Sequence, residues 1–316
     1  MDNLPWTPFF HGMAKTPELI WHNGRLIPWA EATVHVLAHS LHYGSAVFEG
    51  IRAYKTHLGT RIFRLQAHVR RLFDSARIYR MEIPYTAAQI LAACREVVRA
   101  NKLVAGYIRP LVYRGAGSIG VMPAADVPIE VAVAALDWQG HLGADVKVSG
   151  VTACVSSWHR VAPNTIPALA KCAANYASSI QVVMEAKRDG YDAAIALDTS
   201  GHVSEGAGEN VFVVHGGVVR TPPLASSVLG GITRDSVLVL ARDAGIEVRE
   251  EPIPREMLYL ADEMFYAGTA AEITPIRSVD KLPVGDGTRG PVTKALQTHF
   301  FGLFTGETPD RHGWLD

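Results

Sequence analysis

The sequence predicts an α+β or mixed α/β protein made of two unequal domains, and three observations carry that reading. At 316 residues, 48% hydrophobic and 19% charged, the chain has enough apolar material for one large core or two ordinary ones, and no long stretch has a disordered composition. Strand-like and helix-like runs are grouped rather than strictly alternating, and the second half is richer in strands. Between the halves, residues 137–145 (Asp-Trp-Gln-Gly-His-Leu-Gly-Ala-Asp) lose periodicity and read as a linker. The chain is thereby divided into a smaller N-terminal domain over 1–136 and a larger C-terminal domain over 146–316.

Taken in order, residues 19–27 read as two short strands around Asn23-Gly24, a strong hairpin signal. Residues 34–44 are less regular and carry His35, His39 and His42. A strand-like run over 45–54 is broken by Gly50, where a backbone or ligand can approach closely. From 65 to about 80, Leu65, Val69, Leu72, Phe73, Ala76 and Tyr79 recur at helical spacing. Thr86 is the N-cap of a second helix whose apolar face holds Ile90, Leu91, Cys94, Val97 and Val98. Strands follow at 106–113 and 129–136, separated by a glycine-rich loop over 114–123. The second half reads as strands at 146–157 and 192–197, and a hairpin over 209–221 turning at Gly216-Gly217. A helix at about 234–243 follows, with Thr233 as candidate N-cap and Gly245 at its stop, then strands at 246–249 and 263–266.

The formal net charge of −1, with both signs spread along the chain, leaves no basic stripe for nucleic acid and no acidic tail. Small molecules are the expected partners. Apolar runs such as 131–136 and 237–241 fall far short of the roughly 18 residues that span a bilayer. The N-terminus, Met-Asp-Asn-Leu-Pro-Trp, has no basic segment followed by an apolar one, so a cytoplasmic protein without a signal peptide is expected. Cys94, Cys154 and Cys172 are odd in number and lack Cys-x-x-Cys spacing, which indicates reduced thiols. The three histidines have no carboxylate or thiolate at matching spacing, and no metal is expected.

Lys171 stands apart. It sits among Ala168, Leu169, Ala170 and Cys172, with Pro163 and Pro167 breaking regular structure ahead of it. An ammonium in apolar surroundings loses hydration, which favours the neutral, nucleophilic amine and suits Schiff-base chemistry. The bland alternative is a lysine whose stem covers apolar surface while its head reaches water. Downstream lie three glycine-bearing turns: Ser204-Glu-Gly-Ala-Gly-Glu-Asn210, Leu229-Gly-Gly-Ile-Thr-Arg-Asp235 and Ala267-Gly-Thr-Ala-Ala-Glu272. In the second, glycines just ahead of a helix leave N–H groups free and set the positive end of the helix dipole against an anion, a phosphate cradle.

These segments, with His42-Tyr-Gly-Ser-Ala-Val-Phe-Glu-Gly-Ile-Arg52, Tyr107-Ile-Arg-Pro110 and Ser157-Trp-His-Arg-Val-Ala-Pro-Asn-Thr-Ile-Pro167, form an ordered set. Over residues 39–279 the sequence resembles the fold-type IV pyridoxal-phosphate enzymes, and among them the bacterial and archaeal branched-chain aminotransferases. The resemblance implies a two-domain, D-amino acid aminotransferase-like architecture with pyridoxal 5′-phosphate at the domain interface. Lys171 would hold the cofactor covalently and later move the proton at the substrate's Cα. Glu205 would face the pyridine nitrogen, Tyr176 the 3′-oxygen and Arg71 the phosphate, with Ile232, Thr233 and Thr269 completing the cradle. Arg70 and Arg71 stand about 100° apart on the same helix, and the match to His68-Val-Arg-Arg-Leu72 selects Arg71.

For the substrate, the resemblance implies that Gly268, Thr269, Ala270 and Tyr107 receive the α-carboxylate. Arg109 would bind that group or the distal acid of 2-oxoglutarate. Tyr43, Phe48 and Val121 would line the side-chain pocket beside Gly50, with Tyr43 and Val121 reaching in from a neighbouring subunit. A homodimer is implied, with larger assemblies left open. Met122 stands where the family pattern has an asparagine, which puts substrate range in question. The expected activity moves the amino group of L-leucine, L-isoleucine or L-valine to 2-oxoglutarate. Rivals are a same-fold transaminase for D-amino acids or (R)-amines, an aminodeoxychorismate-type lyase, and a non-catalytic ligand-binding protein.

Overall fold

The computed structural model describes residues 13–138 and 145–316. Residues 13–138 supply β1 (Met13–Lys15), β2 (Leu19–His22), β3 (Arg25–Pro28), α1 (His39–Tyr43), β4 (Ala46–Phe48), β5 (Ile51–Thr56), β6 (Gly59–Ile62), α2 (Leu65–Ile78), α3 (Ala87–Ala100), β7 (Gly106–Arg114) and β8 (Ile129–Trp138). The strands form an antiparallel sheet in the order β3-β2-β8-β7-β5-β6, with β1 on β8 and β4 on β7. Asn23 and Gly24 both take positive φ, 45° and 94°. Their turn matches the strand twist and sets Trp21 opposite Leu26. Leu65, Val69 and Leu72 of α2 and Ile90, Cys94 and Val97 of α3 pack on Ile51, Ile108 and Val133 of the sheet. Thr86 closes a capping box: its hydroxyl accepts from Gln89 N–H at 3.3 Å and its own N–H donates to Gln89 Oε1 at 2.8 Å.

Strand β8 runs two residues past the expected boundary, through Asp137 and Trp138, because Asp137 still pairs with β1. The rest of the expected linker, 139–144, lies outside the described residues. The strand read from residue 146 is corrected in its first turn. Val146–Ser149 is a one-turn helix, α4, with Ser149 N–H donating to Asp145 O at 2.9 Å. Gly150 at φ 72° ends it, and the strand β9 begins only at Val151. The alternating Val-Lys-Val-Ser pattern mimics a strand where nothing pairs with it.

After α4 the chain gives β9 (Val151–Val155), α5 (Tyr176–Arg188), β10 (Ala193–Leu197), β11 (Val203–Gly206), β12 (Asn210–His215), β13 (Val218–Thr221), α6 (Ile232–Asp243), β14 (Val248–Glu250), α7 (Met257–Leu260), β15 (Glu263–Gly268), β16 (Glu272–Val279), β17 (Leu282–Pro283) and α8 (Pro291–Thr305). Strand β11 pairs with both β10 and β12, closing β11-β10-β9-β16-β15-β12 into a ring, with β13 and β14 continuing beyond β12. Strands of this ring are buried on both faces. In β12, Val211 and Val213 join one apolar cluster with Ile195 and Ile276, while Phe212 and Val214 join another with α6 and α8.

The chain's end returns to the first sheet. Asp316 exchanges backbone hydrogen bonds with Ile62, and its carboxylate accepts from Arg95 at 2.6 Å. Phe63 packs edge-on against Phe300 and Trp314, so the two halves share core material.

Candidate active site

The helix α6 starts two residues earlier than its periodicity suggested. Gly231 is the N-cap and Thr233 lies within the first turn. A side chain has no room at that cap: a Cβ on Gly231 would fall 2.0 Å from Asn210 Oδ1. Ile232 and Thr233 are therefore first-turn donors with no intrahelical acceptor, and the dipole's positive end lies with them. Arg71, on α2, reaches the same place and donates through Nη1 to Gly230 O at 2.8 Å.

The Arg71 guanidinium is held from behind. It donates through Nε and Nη2 to the two oxygens of Glu49 at 2.7 and 2.8 Å, a forked pair, and His68 Nδ1 stands 2.7 Å from Glu49 Oε2. Glu49 has no exposed surface. Burial raises its carboxyl, but the charge and hydrogen bonds of Arg71, helped by His68, overcome that and hold it well below the usual carboxylate range. Burial pushes the His68 imidazole down against the pull of Glu49.

Lys171 lies outside regular structure, just ahead of a short 3₁₀ turn at Ala173–Asn175. Its backbone is fixed on both sides: its N–H donates to Ser75 Oγ of α2 at 3.0 Å, and its carbonyl accepts from Phe48 N–H of β4 at 3.0 Å. The amine donates to Tyr176 OH at 2.6 Å and lies 5.1 Å from the centre of the Phe48 ring. Its surroundings are thus more aromatic and polar than the flanking alanines suggest, and Leu169 points to solvent. Pro163 and Pro167 are exposed. Pro167 contributes its carbonyl, which accepts from Asn175 Nδ2 at 3.1 Å and steadies the approach to Lys171.

Glu205, on β11, is buried and meets three donors: Arg160 Nη2 at 2.7 Å, Asn210 Nδ2 at 3.0 Å and Leu229 N–H at 3.0 Å. Burial pushes its carboxyl up, against Arg160 and the Leu229 N–H, which pull it down. Arg71, Lys171, Tyr176, Glu205, Ile232, Thr233, Gly268 and Thr269 all line one cavity. Ala270 follows in the same turn.

Phe48 packs on Tyr176 with ring centres 5.0 Å apart, and the Arg109 guanidinium lies 4.8 Å from the Phe48 ring centre. Arg109 Nη2 donates to Tyr107 OH at 3.1 Å. Gly50 leaves room for that phenol, since a Cβ there would meet its oxygen at 1.8 Å. The close approach expected at Gly50 is therefore made by Tyr107.

Tyr43 and Val121 lie elsewhere, on an open groove with His39 and Met122. Val121 is 82% exposed, and Tyr43 OH accepts from Gly120 N–H at 3.1 Å. The three histidines have separate partners: His39 contacts Ser45 Oγ and Gly120 O, His42 the Val36 carbonyl, and His35 Nδ1 accepts from Leu37 N–H. Among the described residues no three histidine, cysteine or acidic side chains gather as a metal site.

The sequence reading gave no role to Glu49, His68, Arg160, Asn210 or Ser75. Glu49 had a visible signal, a lone charge inside the apolar run Ala46-Val-Phe-Glu-Gly-Ile51.

Residues 46–279 match the amino-transferase class IV family. The branched-chain-amino-acid aminotransferase of Escherichia coli (strain K12) is 54% identical over 302 residues, covering 96% of this chain and 98% of that protein. The crystal structure of the Escherichia coli branched-chain amino acid aminotransferase superposes with a TM-score of 0.94 at 54% identity, covering 95% of this chain and 99% of that one. The branched-chain amino acid aminotransferase from Thermobaculum terrenum, solved in its PLP form, superposes with a TM-score of 0.88 at 38% identity, covering 95% and 98%. The chain belongs to the class IV aminotransferases, in the branched-chain-amino-acid aminotransferase group of that family.

Proposed function

We propose that the chain transfers the amino group of L-leucine, L-isoleucine or L-valine to 2-oxoglutarate with pyridoxal 5′-phosphate as cofactor. One observation carries the reading: an amine, a phenol, a buried carboxylate and a helix N-terminus beside an arginine all face one cavity. The donor set fits that cofactor end to end. Glu205 takes the ring nitrogen, Tyr176 the 3′-oxygen, and Lys171 the covalent attachment. Arg71, the Ile232 and Thr233 N–H groups and the Thr233 and Thr269 hydroxyls take the phosphate. Arg160 Nη2, 2.7 Å from Glu205 Oε1, holds that carboxylate at the ring-nitrogen end.

Bound there, pyridoxal phosphate supplies an electron sink for the charge left when a Cα–H bond breaks. Lys171 Nζ takes that proton and returns it, and Tyr176 OH at 2.6 Å fixes where the amine stands. Glu205, a carboxylate in a buried place, favours a cation brought to it and so keeps a ring nitrogen protonated. Tyr107 and the turn at Gly268–Ala270 receive the α-carboxylate, and Arg109 serves that group or the distal acid. Phe48 and Gly50 shape the space for the substrate side chain. The high identity to branched-chain enzymes over nearly the whole chain favours these substrates over D-amino acids or (R)-amines.

The division into domains over 1–136 and 146–316, with the cofactor between them, is part of this proposal. It rests on the two sheets and on the cavity walls, drawn from both. A homodimer is proposed as well. Val36, Leu41, Ile119, Val121 and Met122 are each more than 60% exposed, and a second copy covering them would bring Tyr43 and Val121 to its cavity. We place the enzyme in the cytoplasm; no described helix is long and apolar enough to cross a membrane.

The test is an absorption spectrum of the purified protein with an assay panel. A visible band from bound cofactor, lost with turnover in Lys171→Ala, and L-leucine preferred over (R)-1-phenylethylamine are the expected results. A colourless protein, or preference for the (R)-amine, overturns the reading.

A further inference from the structure

Glu272 closes the turn that borders the cavity: it pairs with Gly268 across the β15–β16 hairpin, leaving Thr269, Ala270 and Ala271 as the loop. Its φ is 55°, left-handed backbone that glycine adopts freely and a longer side chain does not. Glutamate here thus holds a conformation that glycine would adopt at lower cost.

That side chain is buried. It accepts from Tyr54 OH of β5 at 2.9 Å, forms an ion pair with Lys147 of α4, and lies 3.7 Å from Arg52 Nη2. Arg52 Nε and Nη1 are buried without hydrogen-bond partners, so Glu272 is the carboxylate that answers this guanidinium among the described residues. Arg52 stands opposite Tyr107 in the β5–β7 pairing. Its guanidinium lies 5.6 Å from the Trp138 ring, whose edge packs on Tyr107 at 4.8 Å. One connected set of contacts thus runs from the turn to Tyr107. The Tyr54 ring stacks on Phe304 at 3.7 Å, and Thr274 Oγ1 donates to Ala271 O at 2.6 Å, so both ends of the set are anchored.

We infer that Glu272 is a positioning residue for substrate recognition, setting the distance between the turn at Gly268–Ala270 and Tyr107, the two arms that grip the α-carboxylate. This rests on the assignment of those arms in the proposed function. A misplaced binding group costs on the order of 10- to 100-fold, and here the cost falls on carboxylate binding alone.

The experiment uses the holoenzyme and compares Glu272→Gly, Glu272→Gln and Tyr54→Phe with the parent. The substrates are L-leucine and 3-methylbutylamine, which has leucine's side chain and amine but no carboxylate. The carboxylate probe is 4-methylvalerate, tested as a competitive inhibitor. Glu272→Gly relieves the backbone but leaves the buried Arg52 guanidinium without its carboxylate, so its melting temperature should fall, while KM for leucine and the inhibition constant of 4-methylvalerate rise about tenfold or more. The single-turnover rate with 3-methylbutylamine and the visible band should be unchanged. Tyr54→Phe should shift leucine KM in the same direction by less, and it decides the question if the glycine variant does not fold. Unchanged leucine KM and 4-methylvalerate inhibition in Glu272→Gly, or equal losses with leucine and 3-methylbutylamine, overturn the inference. A parent enzyme that fails to transaminate leucine instead refutes the proposed function.

Discussion

Glu49→Gln removes a charge from behind the proposed phosphate anchor while keeping the shape of the side chain, and the structure says what must break. Glu49 Oε1 accepts from Arg71 Nε alone, whereas Oε2 accepts from Arg71 Nη2 and faces His68 Nδ1. If the new amide nitrogen takes the place of Oε1, it opposes the Arg71 Nε–H. If it takes the place of Oε2, it opposes the Nη2 donor, and only His68 can adapt by changing tautomer. Either way Arg71 loses at least one charge-assisted hydrogen bond, about 1.5–3 kcal/mol, and its buried charge loses its counter-ion, which brings the total to about 3–5 kcal/mol.

At roughly 2–4 °C per kcal/mol for domains of this scale, melting should fall by on the order of 10 °C. Arg71 would keep its Gly230 contact but lose the fork that aims it. Affinity for pyridoxal phosphate should then drop about tenfold or more, equivalent to about 1.4 kcal/mol. Thermal melts with and without cofactor, and titration of the apoenzyme by absorbance, measure both quantities. A variant that melts within about 1 kcal/mol of the parent and binds cofactor equally well would refute the claim that Glu49 sets Arg71.

Acidification should remove two stabilising contributions in turn. The folded values of His68 and Glu49 lie below their ordinary 6.5 and 4.5, so each contributes stability that is complete above that ordinary value and lost as pH falls toward its folded one. These two contributions should lower the melting temperature below about pH 6.5 and again below 4.5, against an opposite contribution from Glu205, whose raised value adds stability as pH falls; a lower limb no flatter in Glu49→Gln than in the parent contradicts the assignment. Gly231→Ala should disturb the Glu205 end through Asn210, since the new Cβ would fall 2.0 Å from Asn210 Oδ1 and Asn210 Nδ2 donates to Glu205. We expect about 1–3 kcal/mol of destabilisation with weakened cofactor retention, read by melting and by the visible band; parent-like values for both would count against it.

Local signals in the sequence located groups whose chemistry depends on near neighbours. Lys171 and Tyr176 are five residues apart and meet directly, and Gly230-Gly231 marks a helix start on its own terms. The residues that tune the site escaped because their partners come from distant elements. Glu49 meets Arg71 across 22 residues of chain, and Arg160 meets Glu205 across a helix and a strand. Elements were missed for equally physical reasons. Helix α5 buries Ser179, Val182 and Ala186 and turns Ile180, Val183 and Met184 outward, so its apolar residues do not trace its core face. Strand β16 carries Pro275, a residue that argues against a central strand, yet it pairs with β9 and β15.

The two buried carboxylates, Glu49 behind Arg71 and Glu205 beside Arg160, are shifted in opposite directions. Glu49 is held down because a full guanidinium already answers it, leaving the Arg71–Glu49 pair close to neutral toward the cavity. In the proposed site the fork to Glu49 fixes Arg71 in place, and a phosphate would be shared between its guanidinium, the N–H groups and dipole of α6 and the hydroxyls of Thr233 and Thr269. At the other end burial pushes Glu205 up against the pull of Arg160, which pairs with it at 2.7 Å. In the proposed function a cationic ring nitrogen would add a further partner to that carboxylate, which in return would retain the nitrogen's proton. The proposed site is thus polarised along its length, with an arginine and a helix dipole for an anion at one end and a buried carboxylate for a cation at the other.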